Sequence, residues 1–334
     1  MTVYSFAHFA VDFFCAFLMF RFIAGTPGAY PCVFLYNFCA FALQMPLGII
    51  ADRVNKNYLF AVWGCLLVGL AYLLTSVPVL AVLVIGVGNA LFHIGGGIDV
   101  LNISEKRLSA LGLFVSPGAF GVYLGTLLSQ GSIMPGLFIP LVLPAVAVMI
   151  LLVYRAQRKT YPRNAPLSLE GVGSGGALVA VACFFLVVCL RSYVGLSLDF
   201  PWKGIGIGGI ALICAVVFGK TIGGFAADRF GVTRTACISL GVAAFLFLFP
   251  TIPLAGVAAV LLFNMTMPLT LWGLAKIMPG AKGFAFGLLT FGLFLGFVPV
   301  YLGVEGQMNA PWLFTLLGAV SLALLWLGLR RVKQ

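Results

Sequence analysis

The chain is divided into twelve apolar stretches, each long enough to cross a membrane as a helix. About 20 apolar residues span the roughly 30 Å of hydrocarbon in a bilayer. Charged residues, prolines and glycine turns separate the stretches, which lie approximately at 4–23, 32–50, 58–76, 79–101, 108–129, 134–154, 177–198, 205–226, 233–249, 253–276, 283–303 and 311–329. We therefore predict an all-α integral membrane protein with twelve transmembrane helices.

The composition excludes most other classes of protein. Of the 334 residues, 62% are apolar and only 8% are charged, whereas a soluble domain carries about 25% charged residues. The eight cysteines lie inside apolar stretches, which excludes a secreted disulfide scaffold. Paired aspartates, a Ser–His pair and a metal-ligand cluster with workable spacing are all missing from the sequence. We therefore expect no enzyme activity, no cofactor and no metal site.

Basic residues are distributed unequally between the two sides of the predicted membrane. Segments on one side carry fifteen lysines and arginines, and those on the other side carry only Lys203. Because cytoplasmic loops are enriched in lysine and arginine, both termini should be cytoplasmic. The net charge of +11 is then a topology signal, and we expect no nucleic-acid partner. We expect a monomer in the inner or plasma membrane, in contact with lipid.

The second half of the chain repeats the first. Residues 48–53, GIIADR, return at 224–229 as GFAADR, an offset of 176. Asn89 returns as Asn264 at an offset of 175. Six crossings bring a chain back to its starting side, so the halves should be parallel repeats, an architecture of transporters. We predict an N-terminal six-helix bundle at 1–154, a cytoplasmic linker at 155–176 and a C-terminal six-helix bundle at 177–334.

The first helix carries two ionisable side chains, His8 and Asp12, inside its apolar stretch. They are four residues apart and therefore share one face of the helix. Ionisable groups in hydrocarbon are costly and usually face an aqueous cavity or one another. A desolvated carboxylate beside an imidazole could hold and release a proton, which predicts a proton-coupling site. The alternative is that Asp12 pairs with a basic side chain only to hold two helices together.

Two basic side chains, Arg191 and Lys220, lie inside the seventh and eighth helices. The planar guanidinium of arginine suits a carboxylate, and a buried lysine can anchor a substrate or couple an ion. We predict that both bind the substrate, although Arg191 could instead neutralise Asp12. Lys220 occupies the repeat position of Gln44. The other residues predicted to line the substrate cavity are Gln44, Asn89, His93 and Asn264.

The charges inside the helices lean towards an anionic ligand. Arg21, Arg191 and Lys220 stand against Asp12 and Asp99, a net charge of +1 with neutral histidines. We therefore expect an anionic or zwitterionic organic solute. Asp99 lies near the cytoplasmic end of the fourth helix, where we expect it to pair with loop arginines in a gate.

The doubled motif resembles the signature of the major facilitator superfamily, and the resemblance extends over essentially the whole chain. The loops read Gly48-x-x-x-Asp52-Arg53 and Gly224-x-x-x-Asp228-Arg229, similar to G-x-x-x-D-R-x-G-R-R. In the first copy Asn55 replaces the second glycine, and Asn57 replaces the last basic residue. The resemblance implies two six-helix bundles that rock around a central site. It also implies that Asp52, Arg53, Asp228 and Arg229 form a cytoplasmic gate.

Three shorter stretches are similar to the fosmidomycin-resistance branch of that superfamily. They are 8–13 in the first helix, 89–93 in the fourth and 190–192 in the seventh. The chain lacks the fourth-helix arginine of drug–proton antiporters and has Ser-Pro-Gly at 116–118 instead of their Gly-Pro pattern. We therefore predict a secondary active transporter of a small organic solute, coupled to protons. The alternatives are a drug or antibiotic efflux antiporter and a non-transporting membrane sensor or assembly protein.

Overall fold

The structure, a computed structural model, describes residues 1–104, 107–131, 138–157, 174–304 and 310–332. Every regular element in these residues is a helix. The helical segments are α1 Thr2–Ile23, α2 Ala29–Val54, α3 Asn57–Leu74, α4 Pro78–Ile103, α5 Leu108–Ser129, α6 Phe138–Gln157, α7 Ser174–Ser197, α8 Gly208–Phe230, α9 Val232–Leu246, α10 Pro253–Ile277, α11 Lys282–Tyr301 and α12 Pro311–Leu329.

Ten of these segments are long and apolar enough to cross a membrane, within the ranges just given. The apolar part of α6, Leu141–Gln157, and all of α9 are shorter. The count of twelve crossings therefore stays a prediction. Of the predicted linker, residues 158–173 lie outside the described residues.

Prolines interrupt three of the long helices. A proline lacks the N–H that would bond to the carbonyl four residues earlier, and its ring crowds that carbonyl. The helical geometry of α5 is broken at Ser116, directly before Pro117. In α2 the break is at Leu43 and in α10 at Met265, each three residues before a proline. The turns before the α2 break, Phe38–Ala42, are wider than α-helical turns.

The described residues of 1–103, 117–166 and 280–287 form one compact unit, here called unit 1. Within it α1 packs along the second part of α5, Pro117–Ser129, and α3 packs on α4. A side chain at Gly121 would overlap the carbonyl oxygen of Phe9. The glycine therefore lets the backbones of α1 and α5 approach each other closely, as small residues do between membrane helices.

The described residues of 104–116, 167–279 and 288–334 form a second compact unit, unit 2. Within it the first part of α5, Leu108–Val115, packs on α8, and α12 packs on both α7 and α9. A side chain at Gly296 of α11 would overlap the carbonyl oxygen of Cys189 in α7. Unit 2 thus repeats the close glycine contact of unit 1.

Large apolar side chains are exposed on helices of both units. Trp63 on α3, Leu178 on α7, Ile238 on α9 and Trp312 on α12 each expose more than half of their surface. Large exposed apolar patches are unfavourable in water and mark surfaces that contact a membrane or another protein. Together with the length of the helices, this surface is that of a multi-pass membrane protein.

Candidate functional site

Helix α1 brings His8 and Asp12 together, as their spacing predicts. Nε2 of His8 lies 3.2 Å from Oδ2 of Asp12. The two side chains are one turn apart on the same face, and the helix therefore positions both without help from another element. His8 is buried, and the Asp12 side chain is 14% exposed.

Helix α4 supplies a second imidazole to the same place. Nε2 of His93 lies 2.9 Å from Nε2 of His8 and 3.6 Å from Oδ1 of Asp12. The two imidazole rings are almost perpendicular, with an angle of 89° between them. The side chains of His8, Asp12 and His93 therefore form a three-membered cluster, here called the His–Asp–His cluster.

Asn89, one turn before His93 on α4, is hydrogen-bonded to two members of the cluster. Its Nδ2 donates a hydrogen bond to Oδ1 of Asp12 at 3.2 Å and another to Sγ of Cys15 at 3.5 Å. Its backbone carbonyl oxygen lies 2.9 Å from Nδ1 of His93. A carbonyl oxygen only accepts hydrogen bonds, so Nδ1 of His93 carries the proton and donates it.

A cavity of about 250 Å³ within unit 1 opens onto the cluster. Asp12, Asn89 and His93 form its polar wall, and most of the remaining wall is apolar. Tyr36 and Asn37 of α2 add two further polar side chains. A largely apolar cavity with a few convergent polar groups is typical of a small-molecule site. The carboxylate and the two imidazoles are also groups that bind metal ions.

The predicted cation on α7, Arg191, is buried within unit 2. Its Nη1 donates a hydrogen bond to Oγ1 of Thr270 on α10, at 3.3 Å. Among the residues that the structure describes, no carboxylate oxygen lies within the 4.0 Å of an ion pair with this guanidinium. A buried charge that lacks an opposite charge is costly and usually marks a place where a ligand or partner completes the pairing.

The other predicted substrate residues make mostly local contacts. Nζ of Lys220 donates to the carbonyl oxygen of Val115 at 3.4 Å. The side-chain amides of Asn264 and Gln44 each donate to the carbonyl one turn earlier on their own helix. Oε1 of Gln44 is buried and has no hydrogen-bond partner among the described residues. Within unit 1 the structure thus gathers His8, Asp12, Asn89 and His93 into one site.

The first motif aspartate, Asp52, binds the beginning of helix α11 within unit 1. Its two carboxylate oxygens accept hydrogen bonds from the backbone N–H groups of Gly283 and Phe284, at 2.8 and 2.9 Å. A side chain at Gly48, one turn earlier, would overlap the backbone of Gly283. The glycine of the motif therefore lets the helix end come close, and the aspartate caps its unpaired amides.

The second motif aspartate, Asp228, repeats this arrangement within unit 2. Its carboxylate oxygens accept hydrogen bonds from the N–H groups of Leu108 and Ser109, the first residues of α5, at 2.7 and 2.9 Å. A side chain at Gly224 would crowd the backbone of Leu108. The same pair of residue types thus performs the same capping in both halves.

The remaining gate candidates differ in their surroundings. Arg53 is exposed, and the guanidinium of Arg229 lies 5.5 Å from the ring centre of Phe230. Asp99 is buried and accepts hydrogen bonds from the Tyr4 hydroxyl at 2.6 Å and from Nδ2 of Asn57 at 3.0 Å. The structure thus pairs Asp99 with two neutral donors of unit 1, where we expected loop arginines.

Several residues of these sites could not be identified from the sequence. Tyr4, Cys15 and Tyr36 lie in apolar stretches with nothing to mark them, and Asn57 was noted only as a departure from the motif, without its partner Asp99. Gly118 is next to the cluster, and a side chain there would overlap Oδ2 of Asp12 and Nε2 of His8. In the sequence, Gly118 was noted only as part of the Ser-Pro-Gly departure at 116–118. That departure did not indicate that the glycine leaves space for the side chains of Asp12 and His8.

No protein-family model matches the sequence, and no curated protein matches it either. Solved structures do match over almost the whole chain. A variant of the E. coli fucose:proton symporter FucP aligns with a TM-score of 0.69 at 14% identity, covering 99% of this chain and 98% of that chain. FucP is described as a major facilitator superfamily transporter.

Two further transporters have similar structures. The human organic anion transporter TETRAN aligns with a TM-score of 0.68 at 14% identity, covering 98% of both chains. A bacterial homologue of the iron transporter ferroportin, solved in an outward-facing state, aligns with a TM-score of 0.61 at 16% identity, covering 98% of this chain and 97% of that chain. At these identities the likeness shows the fold alone. The chain has the fold of major facilitator superfamily transporters.

Proposed function

We propose that the protein is a secondary transporter of the major facilitator superfamily, which moves a small anionic or zwitterionic organic solute across a membrane by alternating access. The observation that carries this proposal is the cavity of about 250 Å³ with a charged cluster in its wall, inside membrane-spanning helices. Ionisable side chains inside membrane-spanning helices usually bind substrates or ions. The whole-length likeness to solved transporters supports the same function.

The preference for an anion rests on Arg191. Its guanidinium is buried and bonds to a neutral hydroxyl, that of Thr270. Thr270 donates its own proton to backbone carbonyls of α10 and therefore offers Arg191 only an oxygen lone pair. Arginine stays charged and presents a planar set of donors that matches a carboxylate or phosphonate. A solute anion would supply the missing charge, with Lys220 as a second anchor.

Thermal stabilisation by a panel of organic anions tests this assignment. We expect at least one carboxylate or phosphonate to raise the unfolding midpoint of the purified protein, and Arg191→Gln to abolish that rise. Arg234→Gln is the matched control, because Arg234 is an exposed arginine of the same unit and should leave the stabilisation intact. A panel in which only neutral or cationic drugs stabilise the protein would favour drug efflux. No stabilising ligand at all would favour a non-transporting sensor or assembly protein.

The coupling ion we propose is the proton, taken up at Asp12 and His8. Asp12 lines the cavity and Nε2 of His8 lies 3.2 Å from its carboxylate, which gives an ion a route to the pair. FucP is a fucose:proton symporter, which supports proton coupling in a transporter of this fold. A pH gradient across proteoliposomes should drive solute accumulation in the wild type. Solute accumulation that does not depend on the pH gradient would exclude proton coupling.

We further propose that Asp52, Arg53, Asp228, Arg229 and Asp99 belong to a cytoplasmic gate. The two capping contacts support this role, because breaking them frees the beginnings of α5 and α11. Both termini would then be cytoplasmic, and the protein would act as a monomer in the inner or plasma membrane. A reporter fused to the C-terminus that is active only in the cytoplasm tests the orientation, since an external C-terminus would keep it inactive.

A further inference from the structure

The chain contains two histidines in all, and they contact each other beside a carboxylate. Nε2 of His8 and Nε2 of His93 lie 2.9 Å apart, and each faces an oxygen of Asp12. We propose that His8, Asp12 and His93 form a binding site for a divalent transition-metal ion that enters from the cavity. The inference goes beyond the proposed transport of an anion and does not depend on it.

The spacing of the imidazole nitrogens and the carboxylate oxygens fits one metal ion. Metal–nitrogen and metal–oxygen bonds to ions such as Zn²⁺ are about 2.0 to 2.2 Å long, so two ligands of a tetrahedral ion lie roughly 3.3 Å apart. The two imidazole nitrogens are 2.9 Å apart; that of His8 lies 3.2 Å from Oδ2 of Asp12, and that of His93 lies 3.6 Å from Oδ1. These separations bracket the required value, and a bound ion therefore needs only small side-chain movements.

The second imidazole is already oriented as a metal ligand. Nδ1 of His93 donates its proton to the backbone carbonyl of Asn89 at 2.9 Å, which leaves a lone pair on Nε2 in the neutral ring. A histidine that binds a metal through one nitrogen commonly donates from the other to a carbonyl or carboxylate, because this bond fixes the tautomer and the ring orientation. Nδ2 of Asn89 also steadies Asp12 through Oδ1.

The cavity gives an ion and its remaining ligands access to the cluster. On another side Gly118 packs against Oδ2 of Asp12 and Nε2 of His8, and a side chain there would overlap both atoms. Asp12 and His93 both line the cavity, so that water or a further ligand can reach an ion held between them. Oδ1 of Asn89 is buried without a hydrogen-bond partner among the described residues, and a metal-bound water could donate to it.

The donor set selects the class of ion. Two imidazole nitrogens and one carboxylate oxygen suit divalent first-row transition metals, whereas Mg²⁺ and Ca²⁺ prefer sites made of oxygen alone. Cys15 is close to Asn89 but lies outside the three-residue group that could share an ion. The ion and the proposed coupling proton would use the same side chains, and one therefore excludes the other.

Zinc binding to the full chain, purified without a histidine tag in lipid nanodiscs, tests the proposal. With ¹⁵N-histidine labelling the spectrum contains only His8 and His93, and we expect both signals to shift together and to saturate at one Zn²⁺ per chain. His93→Gln should weaken Zn²⁺ binding more than a hundredfold. Asn89→Ala, which removes a contact to Asp12 behind the ligands, should weaken it about 10- to 100-fold.

Asp199→Asn is the matched control for loss of a carboxylate. Asp199 pairs with Lys203 in an exposed ion pair of unit 2, and its removal should leave Zn²⁺ affinity unchanged. Binding that persists in the double variant His8→Gln/His93→Gln would assign the ion to other side chains and overturn the proposal. If the variants do not fold, the wild-type spectrum decides, because unshifted histidine signals at saturating Zn²⁺ also overturn it.

The test separates this inference from the proposed function, because it uses neither solute nor flux. A protein that binds Zn²⁺ through its histidines but moves no solute would keep the metal site and remove the transport proposal. A protein that moves an anion but whose histidines ignore Zn²⁺ would do the reverse.

Discussion

The two halves of the chain place different side chains at one equivalent position. In unit 1 the Cβ of Asp12 on α1 lies against Gly121 of α5, and in unit 2 the Cβ of Ser192 on α7 lies against Gly296 of α11. The two glycines correspond in the repeat at an offset of 175. These contacts match residue 12 with residue 192. One copy therefore presents a carboxylate where the other presents a hydroxyl.

The neighbours of these two residues explain the difference. Ser192 donates to the backbone carbonyl of Leu293 at 2.7 Å, which is an ordinary contact between two packed helices. The repeat counterpart of Leu293 is Gly118, whose missing side chain leaves space for the carboxylate of Asp12 and the imidazole of His8. Unit 1 thus has room for a polar cluster beside a glycine at a position where unit 2 carries a leucine.

The helix caps show the opposite behaviour. Asp52 and Asp228 each accept two backbone N–H groups at distances between 2.7 and 2.9 Å. The beginning of any helix has unpaired amides that need an acceptor, and both halves meet this need with the same residue. The repeats therefore agree where backbone groups must be paired and differ where the side chains of unit 1 face a cavity.

The largest expected effect is the loss of coupled transport on removal of one carboxylate. Asp12→Asn should abolish pH-driven solute accumulation in proteoliposomes, because the neutral amide can neither take up and release a proton nor neutralise the charge of a protonated imidazole. Ser192→Ala changes the equivalent position of unit 2 and should retain accumulation. A dye that reports internal pH during solute addition measures both variants. Equal activity of the two variants would contradict the functional difference between the halves.

Filling the space next to Asp12 should be the next largest effect. Gly118→Leu introduces the side chain of its counterpart and overlaps the His–Asp–His cluster, so it should destabilise the protein by about 1–3 kcal/mol. Leu293→Ala removes part of a half-buried side chain and should cost less. Thermal unfolding midpoints of both variants in the same detergent check the order. A Gly118→Leu protein as stable as the wild type would refute the account of this space.

The two caps should differ in strength because their exposure differs. Asp52 is buried and Asp228 is exposed, so that water can replace the lost acceptor only at Asp228. Asp52→Ala should lower stability by about 1–3 kcal/mol, and Asp228→Ala by about 1 kcal/mol or less. Thermal unfolding midpoints of the two variants in the same detergent measure the difference. A larger loss of stability in Asp228→Ala than in Asp52→Ala would reverse the prediction.

The smallest effect should come from the surface ion pair of unit 2. Nζ of Lys203 lies 3.4 Å from Oδ1 of Asp199, and both side chains are more than half exposed. Such pairs contribute about 0–1 kcal/mol because water screens the charges. Asp199→Asn should therefore leave the unfolding midpoint within error of the wild type. A shift of the midpoint as large as that of Asp52→Ala would mean that the exposure of a side chain does not predict how much its contacts contribute to stability.

The helices could be predicted closely because the membrane imposes a long apolar run on each of them. The stretch predicted at 79–101 is Pro78–Ile103, and the one at 311–329 is Pro311–Leu329. The wide turns at Met19–Ile23 and Phe38–Ala42 were not predicted. They leave no mark in an apolar sequence, since packing decides how tightly a turn of helix is wound.

The candidate site was predictable only where its residues share a helix. His8 and Asp12 are joined by their spacing, but His93 meets them through the packing of α1 on α4. The repeat offset of 176 also mismatches α1 and α7, where the contacts give 180. The connection 198–207 is longer than 24–28, so the loop alone would change the offset in the opposite direction. The difference lies in the helices, because α1 continues for 11 residues after Asp12 whereas α7 continues for only 5 after Ser192.

Uptake of the stabilising anion into proteoliposomes tests the central claim most directly. We expect the wild type and Arg234→Gln to take up the anion above the level of empty liposomes, and Arg191→Gln to fall to that level. Wild-type protein that is folded and correctly inserted, yet takes up none of the anions that bind it, would not be a transporter of them.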